Sequence, residues 1–288
     1  MATFILGMVL TVAFWVAAWT RVPIASEYSF FPLWLGYVLS VNGISELAYR
    51  DSLLKRMRGW FACLFIASIP LWWFFEWANS VLQNWHYIFP HPISQLHYVI
   101  QASVDFSTVV PAVLSTAFLF HRFFANKMKT NTRQLTIRSS WLVWSVIIGG
   151  VSFCFMLLFP NQTFPLVWIA PFLIIEPILY AGGMPSLLRQ IEKGNWALTC
   201  SIMIGTLFTG FFWEMWNFYS LPKWYYTIPY VGFWKVFEMP ILGYGGYPFF
   251  GLVVFSYTTL VFAVVLRKNV LDMYNLSRQT PAAVPYQL

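Results

Sequence analysis

Charge is what this sequence has least of. Only 9% of its 288 residues are charged, against about a quarter in a soluble domain. Hydrophobic residues reach 59%, and the mean hydropathy is +0.64. A water-soluble fold is therefore excluded, and the chain reads as an all-α, polytopic membrane helix bundle. Cysteine is scarce as well. Cys63, Cys154 and Cys200 lie in apolar stretches without CxxC spacing, so neither a disulfide framework nor a thiolate metal site is expected. Aspartate is limited to Asp51, Asp105 and Asp272, which are not clustered as Mg²⁺-diphosphate binding requires. His86, His91 and His97 are spaced too widely for the tight histidine boxes of membrane metal sites. No dinucleotide fingerprint or haem motif is present, and no cofactor or metal is expected. The net charge of +7 does not mark a nucleic-acid partner, because the basic residues fall in short loops between apolar spans.

What the chain has in excess is aromatic side chains, at 21%. They crowd around acids in two stretches, FFEWANSVLQNWHYI from Phe74 and FFWEMWNFYSLPKWYY from Phe211. Taking about 20 apolar residues per span, eight spans are expected, at about 3–20, 30–48, 59–81, 96–120, 141–159, 165–183, 196–218 and 237–266. The first lacks a basic leader and is taken as a retained span. The last is long, and Pro240, Gly243, Gly245, Gly246 and Pro248 favour a break in it. Alternate loops sort the cations. One side and the C-terminal tail hold Arg50, Lys55, Arg56, Arg58, Arg122, Lys127, Lys129, Arg133, Arg138, Arg189, Lys193, Arg267, Lys268 and Arg278. The other side holds only Arg21, Lys223 and Lys235. The positive-inside rule then places both termini in the cytoplasm.

The two aromatic stretches belong to a longer internal correspondence. Trp34 matches Trp168, and Ser52-Leu53-Leu54 matches Ser186-Leu187-Leu188, at one separation of 134 residues. Glu76 and Asn79 match Glu214 and Asn217 at 138, Trp85 and Tyr87 match Trp224 and Tyr226 at 139, and Gln101 and Pro111 match Glu238 and Pro248 at 137. The order predicts two parallel four-helix repeats, 1–138 and 139–268, followed by a polar tail, 269–288, with site residues between the halves. Asn42 stands opposite Glu176. Asp105 lies one helical turn beyond Gln101, on the same face.

An ionisable residue at membrane depth is by default a functional candidate. Glu76 and Glu214 are expected near the non-cytoplasmic ends of their spans, Gln101 and Glu238 at the non-cytoplasmic starts of theirs, and Glu176 near mid-bilayer. A plainer account has Glu76 and Glu214 each capping or bridging helices through the Asn three residues on, and Glu176 hydrogen-bonded to a neighbouring helix. Burial in an apolar pocket disfavours the charged form of a carboxyl group, so one such acid can give a proton while a second accepts one. Aromatic faces stabilise a passing cation. Those are the needs of proton-initiated alkene chemistry on a lipophilic polyene or isoprenoid drawn from the bilayer. Glu214 and Glu238 are the leading candidates for acid and base, with Glu76 and Glu176 supporting. Asn217 and Asn79 would orient them. Trp216, Trp224, Tyr226 and Trp85 would shield the cation, and Gln101 and Asp105 would face the same cleft. A proton-coupled transporter, or a non-catalytic partner of a pigment complex, would suit a duplicated bundle with buried acids equally well.

Residues 211–250 carry an acid late in an apolar helix, then Asn217, then Lys223-Trp224-x-Tyr226, then Glu238-Met239-Pro240 opening an aromatic run. In this the chain resembles the lycopene cyclase domain of carotenoid-cyclising membrane proteins, and more broadly membrane terpene cyclases and carotenoid hydratases. The resemblance implies cofactor-free cyclisation or hydration of an isoprenoid, with Glu214 and Glu238 in the positions of the two acids. Where that family has Pro-x-Glu-Glu, this chain has a single acid before its proline.

Overall fold

With no water in the hydrocarbon core, a spanning segment must satisfy its own backbone, which it does as helix. The computed structural model describes residues 1–125 and 134–274. It is an all-α polytopic bundle, and among the described residues seven helical stretches are long and apolar enough to cross a membrane. α1 (Ala2–Trp19) and α2 (Phe30–Tyr49) form the first pair. α3 (Leu53–Met57), a 3₁₀ turn and α4 (Ala62–Leu82) make the third crossing, and β1 (Trp85–Ile88) follows. The fourth is α5 (Gln95–Phe106) and α6 (Val109–Ala125); the fifth is α7 (Ser139–Leu158). The sixth joins α8 (Pro160–Thr163), a 3₁₀ turn and α9 (Ala170–Ala181). After α10 (Leu187–Glu192) comes α11 (Ala197–Tyr219), the seventh. β2 (Lys223–Tyr226), β3 (Lys235–Val236), β4 (Met239–Pro240) and a 3₁₀ turn lead into α12 (Gly246–Val264), the eighth, with α13 (Val270–Tyr274) beyond it.

α2 is the helix missing from the seven, and its position explains why. It packs between α1 and α6, and its Trp34, Tyr37, Ser40, Asn42 and Ser45 are all buried. A helix covered by protein can carry polar groups that a lipid-facing one cannot. α1 and α7 show the opposite case. Each is apolar all round, and only 17% and 11% of their spanning windows are buried, against 72% for Gln95–Phe124. They form the outer walls, α1 against α2 and α7 against α9.

Two spans differ from the sequence expectation. The fourth is broken at Ser107 and Thr108, where side-chain hydroxyls replace the lost helical bonds. Ser68 Oγ donates to the Phe106 carbonyl at 2.5 Å and accepts from the Val110 amide at 3.1 Å. The eighth begins at Gly246 rather than near 237, because residues 235–240 fold back as the β3–β4 hairpin. The two aromatic loops pair with each other. β1 and β2 form one antiparallel ribbon with Trp85 opposite Tyr226 and Tyr87 opposite Trp224. The molecule thus has a ribbon end and a basic end. Arg21, Lys223 and Lys235 sit at the first; Arg50, Lys55, Arg56, Arg58 and Arg122 cluster at the second. Lys127, Lys129, Arg133 and Arg278, and the tail beyond Tyr274, lie outside the described residues.

α1 closes on α2 through small residues, as membrane helices do when backbones must approach. A methyl group on Gly36 would lie 2.6 Å from the Thr11 amide nitrogen, and one on Gly43 2.6 Å from Phe4 Cα. Gly150 in α7 faces open space. Gly36→Leu is therefore expected to lift α1 off the bundle at a cost of roughly 1–3 kcal/mol. Gly150→Ala is expected to be neutral or to stabilise by up to about 1 kcal/mol. Thermal unfolding of the two variants in one detergent checks both; equal shifts would disprove this packing.

Candidate functional site

The ribbon is held by two asparagines used in the same way. Asn79, in the last turn of α4, donates to the Trp85 carbonyl at 2.8 Å and accepts from the Asn84 and Trp85 amides at 2.9 and 3.2 Å. Asn217, in the last turn of α11, donates to the Trp224 carbonyl at 2.7 Å and accepts from the Trp224 amide at 2.8 Å. Each asparagine sits three residues after a glutamate, so each helix end presents the ribbon and an acid together.

The acids take their donors from that ribbon. Glu76 Oε1 accepts from the Tyr87 hydroxyl at 2.5 Å and from the Trp72 and Trp85 indoles, each at 3.0 Å. Glu214 Oε1 accepts from the Tyr226 hydroxyl at 2.6 Å and the Tyr247 hydroxyl at 2.5 Å, while the Trp224 indole donates to Tyr226 at 2.8 Å. Burial foremost, then the carboxyl beside each, pushes the Tyr87 and Tyr226 phenols well above their ordinary range. They stay protonated and remain donors. The two acids differ in what is left over. Glu214 is fully buried, and its Oε2 has no hydrogen-bond partner among the described residues.

Below the ribbon lies a cavity of about 130 Å³ whose walls include Glu214 and Asp105. Trp72, Trp85, Tyr87, Trp213, Trp224, Tyr226, Trp168 and Phe250 supply most of its aromatic surface. Trp72 stacks on Trp213 at 5.6 Å, which brings α4 and α11 together. Asp105 comes from the last turn of α5, within hydrogen-bonding reach of the Phe31 amide in the first turn of α2. Neither Glu214 nor Asp105 has a cationic partner among the described residues.

Several expected members lie elsewhere. Glu238 is in the tight turn between β3 and β4, not on a helix, and forms an ion pair with Lys223. Lys223 lines the cavity and Glu238 does not. Glu176 belongs to the basic half, where it accepts from the Leu188 amide at 2.9 Å and from Ser256 Oγ at 2.6 Å. Its counterpart Asn42 accepts from the Leu54 amide at 2.9 Å. Both side chains thus cap a short helix that follows, and Glu176 is remote from the cavity. Gln101 is held by His97 at 3.1 Å and the Glu27 carbonyl at 2.7 Å, outside the lining. Trp216 packs among Trp34, Tyr37 and Phe212. Glu76 sits behind Trp72 and Tyr87. The histidines take separate partners: His86 Thr227, His91 Glu27, and His97 Tyr28 and Gln101. Tyr247 was not foreseen, since no spacing ties the start of α12 to an acid 33 residues earlier. Comparison with protein-family models, curated proteins and solved structures finds no match.

Asn217→Ala is expected to unpin β2 and leave buried backbone groups unpaired, at roughly 1–3 kcal/mol. Amide hydrogen exchange should then quicken at Trp224 through Thr227 while α1 is unchanged. Undisturbed protection there would show that the asparagine does not hold the ribbon.

Proposed function

We propose that the protein is an integral membrane enzyme of isoprenoid chemistry that carries out proton-initiated, cofactor-free cyclisation or hydration of a lipophilic polyene. Two carboxyl side chains without cationic partners, in one cavity walled by aromatic rings, carry this reading. Glu214 keeps the leading role assigned to it from sequence. Asp105 replaces Glu238 as the second acid, because Glu238 is neutralised by Lys223.

In the proposed reaction one carboxyl of the pair gives its proton to a C=C bond. Its O–H bond breaks, a C–H bond forms, and a carbocation remains. In a cyclisation a second C=C bond of the same chain attacks the cationic carbon. Its π pair becomes the C–C bond of the ring, and the positive charge passes to the far carbon of that alkene. The other carboxyl, as carboxylate, then removes a proton from a carbon next to the cation and restores a double bond. In a hydration, water bonds to the cation and its extra proton goes to the same carboxylate. No electrons are gained or lost. The faces of Trp72, Trp213 and Phe250 stabilise the cation. Size supports an end-group reaction, since an apolar cavity of about 150 Å³ takes one benzene. A cavity of about 130 Å³ takes one ring-sized end of a polyene while the remainder lies outside. The lycopene cyclase-like pattern of residues 211–250 supports the role of Glu214, while its second acid, Glu238, gives way here to Asp105. The distribution of basic residues supports cytoplasmic termini, with the cavity toward the opposite face.

Dicyclohexylcarbodiimide, a membrane-soluble reagent for neutral carboxyl groups, is expected to label Asp105 or Glu214, and peptide mass spectrometry identifies which one donates. In membranes supplied with linear C₂₀–C₄₀ polyenes, Glu214→Gln and Asp105→Asn should each lower product formation by about 10²–10⁴-fold. Full turnover in both variants would refute the mechanism. Solute flux driven by a pH gradient in proteoliposomes, with no chemical change, would replace it with a proton-coupled carrier.

A further inference from the structure

At the basic end, far from the ribbon, a groove of about 730 Å³ opens beside the start of the third crossing. It is lined by Asp51, Lys55, Arg56, Met57, Arg58, Gly59, Trp60 and Cys63. Three cations thus share the groove with one acid, and that acid is occupied. Asp51 is buried, held by Arg56 at 2.8 Å and approached by Arg122 at 3.8 Å. Its charge is neutralised from the protein side, so it does not oppose an incoming anion.

The remaining cations are presented outward. The Arg58 side chain is exposed and has no hydrogen-bond or ion-pair partner among the described residues. Its backbone has φ 52° and ψ −129°, a conformation that side-chain-bearing residues adopt only at a cost and that tends to persist at ligand clamps. Lys55 Nζ donates to the Arg50 carbonyl at 3.0 Å, which leaves two of its three donors for a ligand. Lys268, from the segment after α12, places its ammonium 5.1 Å above the Trp60 ring. Trp60 itself is 42% exposed, an amphipathic ring at the depth where tryptophan anchors at a membrane surface.

We propose that this groove binds the phosphate group of an anionic lipid, with Arg58, Lys55 and Lys268 as its cationic contacts and Trp60 beside the glycerol backbone. Basic pockets at membrane-helix ends recognise lipid headgroups through this combination. The site is independent of the cavity chemistry and stands or falls without it.

The test uses the full chain in nanodiscs of phosphatidylcholine alone, of phosphatidylcholine with phosphatidylglycerol, and of phosphatidylcholine with inorganic phosphate added to the buffer. Native mass spectrometry should find phosphatidylglycerol retained on the wild type in preference to phosphatidylcholine, and Tm should rise in the phosphatidylglycerol discs. The variant carrying Lys55→Ala, Arg58→Gly and Lys268→Ala should lose that retention by about tenfold or more. Arg58→Gly alone keeps the fold measurable: by relieving the backbone it should match or exceed the wild-type Tm in phosphatidylcholine, yet show a smaller rise with phosphatidylglycerol. An equal rise with inorganic phosphate would assign the same residues to a soluble phosphate. Equal retention of the two lipids by the wild type, or undiminished phosphatidylglycerol retention by the triple variant, would overturn the proposal.

Discussion

A carboxyl group taken out of water must be given hydrogen-bond donors by the protein, and the architecture of the ribbon end follows from that requirement. Apolar helices supply none, because their backbone amides are used internally. Donors must therefore come from side chains of neighbouring segments, held in register. The β1–β2 ribbon provides them: Tyr87 and Trp85 to Glu76, Tyr226 to Glu214. Asn79 and Asn217 fix the ribbon to the same helix turns that carry the acids. A shift of one residue would turn the phenols to the opposite face, leaving Glu76 with the Trp72 indole alone and Glu214 with the Tyr247 hydroxyl alone.

The two halves share this plan and differ in how completely they close it. Trp34 packs on Trp213 at 5.0 Å, and Trp168 stacks on Phe75 at 5.1 Å. The match extends to the short helices capped by Asn42 and Glu176. At the acids the halves part. Glu76 has three donors on one oxygen and is screened from the cavity by the groups that bind it. Glu214 has two donors on one oxygen and none on the other. Glu76 is set back behind its donors, whereas the buried, unpartnered Oε2 of Glu214, in the wall of an aromatic cavity, retains capacity for a further proton or ligand. On the proposed reading the first half supplies its acid from another place, Asp105, one turn beyond the position that matches Glu238.

The spans were legible because bilayer thickness sets a length that sequence reports directly. The pairing of Glu76 with Glu214, and of each with an Asn three residues on, was legible from the internal correspondence. What escaped was whatever depends on chain reversal within a few residues. Glu238 reads as a helix start because Pro240 and the apolar run follow it; instead the β3–β4 hairpin turns it toward Lys223. Glu176 reads as a central acid because its neighbours are apolar, but a bond to the Leu188 amide settles its place. That bond had a trace in the sequence, since Asn42 precedes Leu54 by the same interval as Glu176 precedes Leu188. Tyr247 left no trace, as a contact from one helix start to another helix's interior has no periodic signature.

The small cavity constrains any substrate more tightly than the choice of acids does. Its volume is that of one ring, and its lining draws on α2, α4, α5, α6, α11 and α12 together with the ribbon. A long polyene would meet the carboxyls only with its terminal unit, and chain length beyond that unit would change little at the reacting carbons. Selectivity on the proposed reading would then fall on the end group. The residues placed to exert it include four non-aromatic members of the lining, Pro222, Lys223, Met239 and Gly243. All four lie between α11 and α12, in the stretch that the Lys223–Glu238 pair helps to hold. On that reading the Lys223–Glu238 ion pair, which neutralises Glu238, also has a part in shaping what the cavity admits.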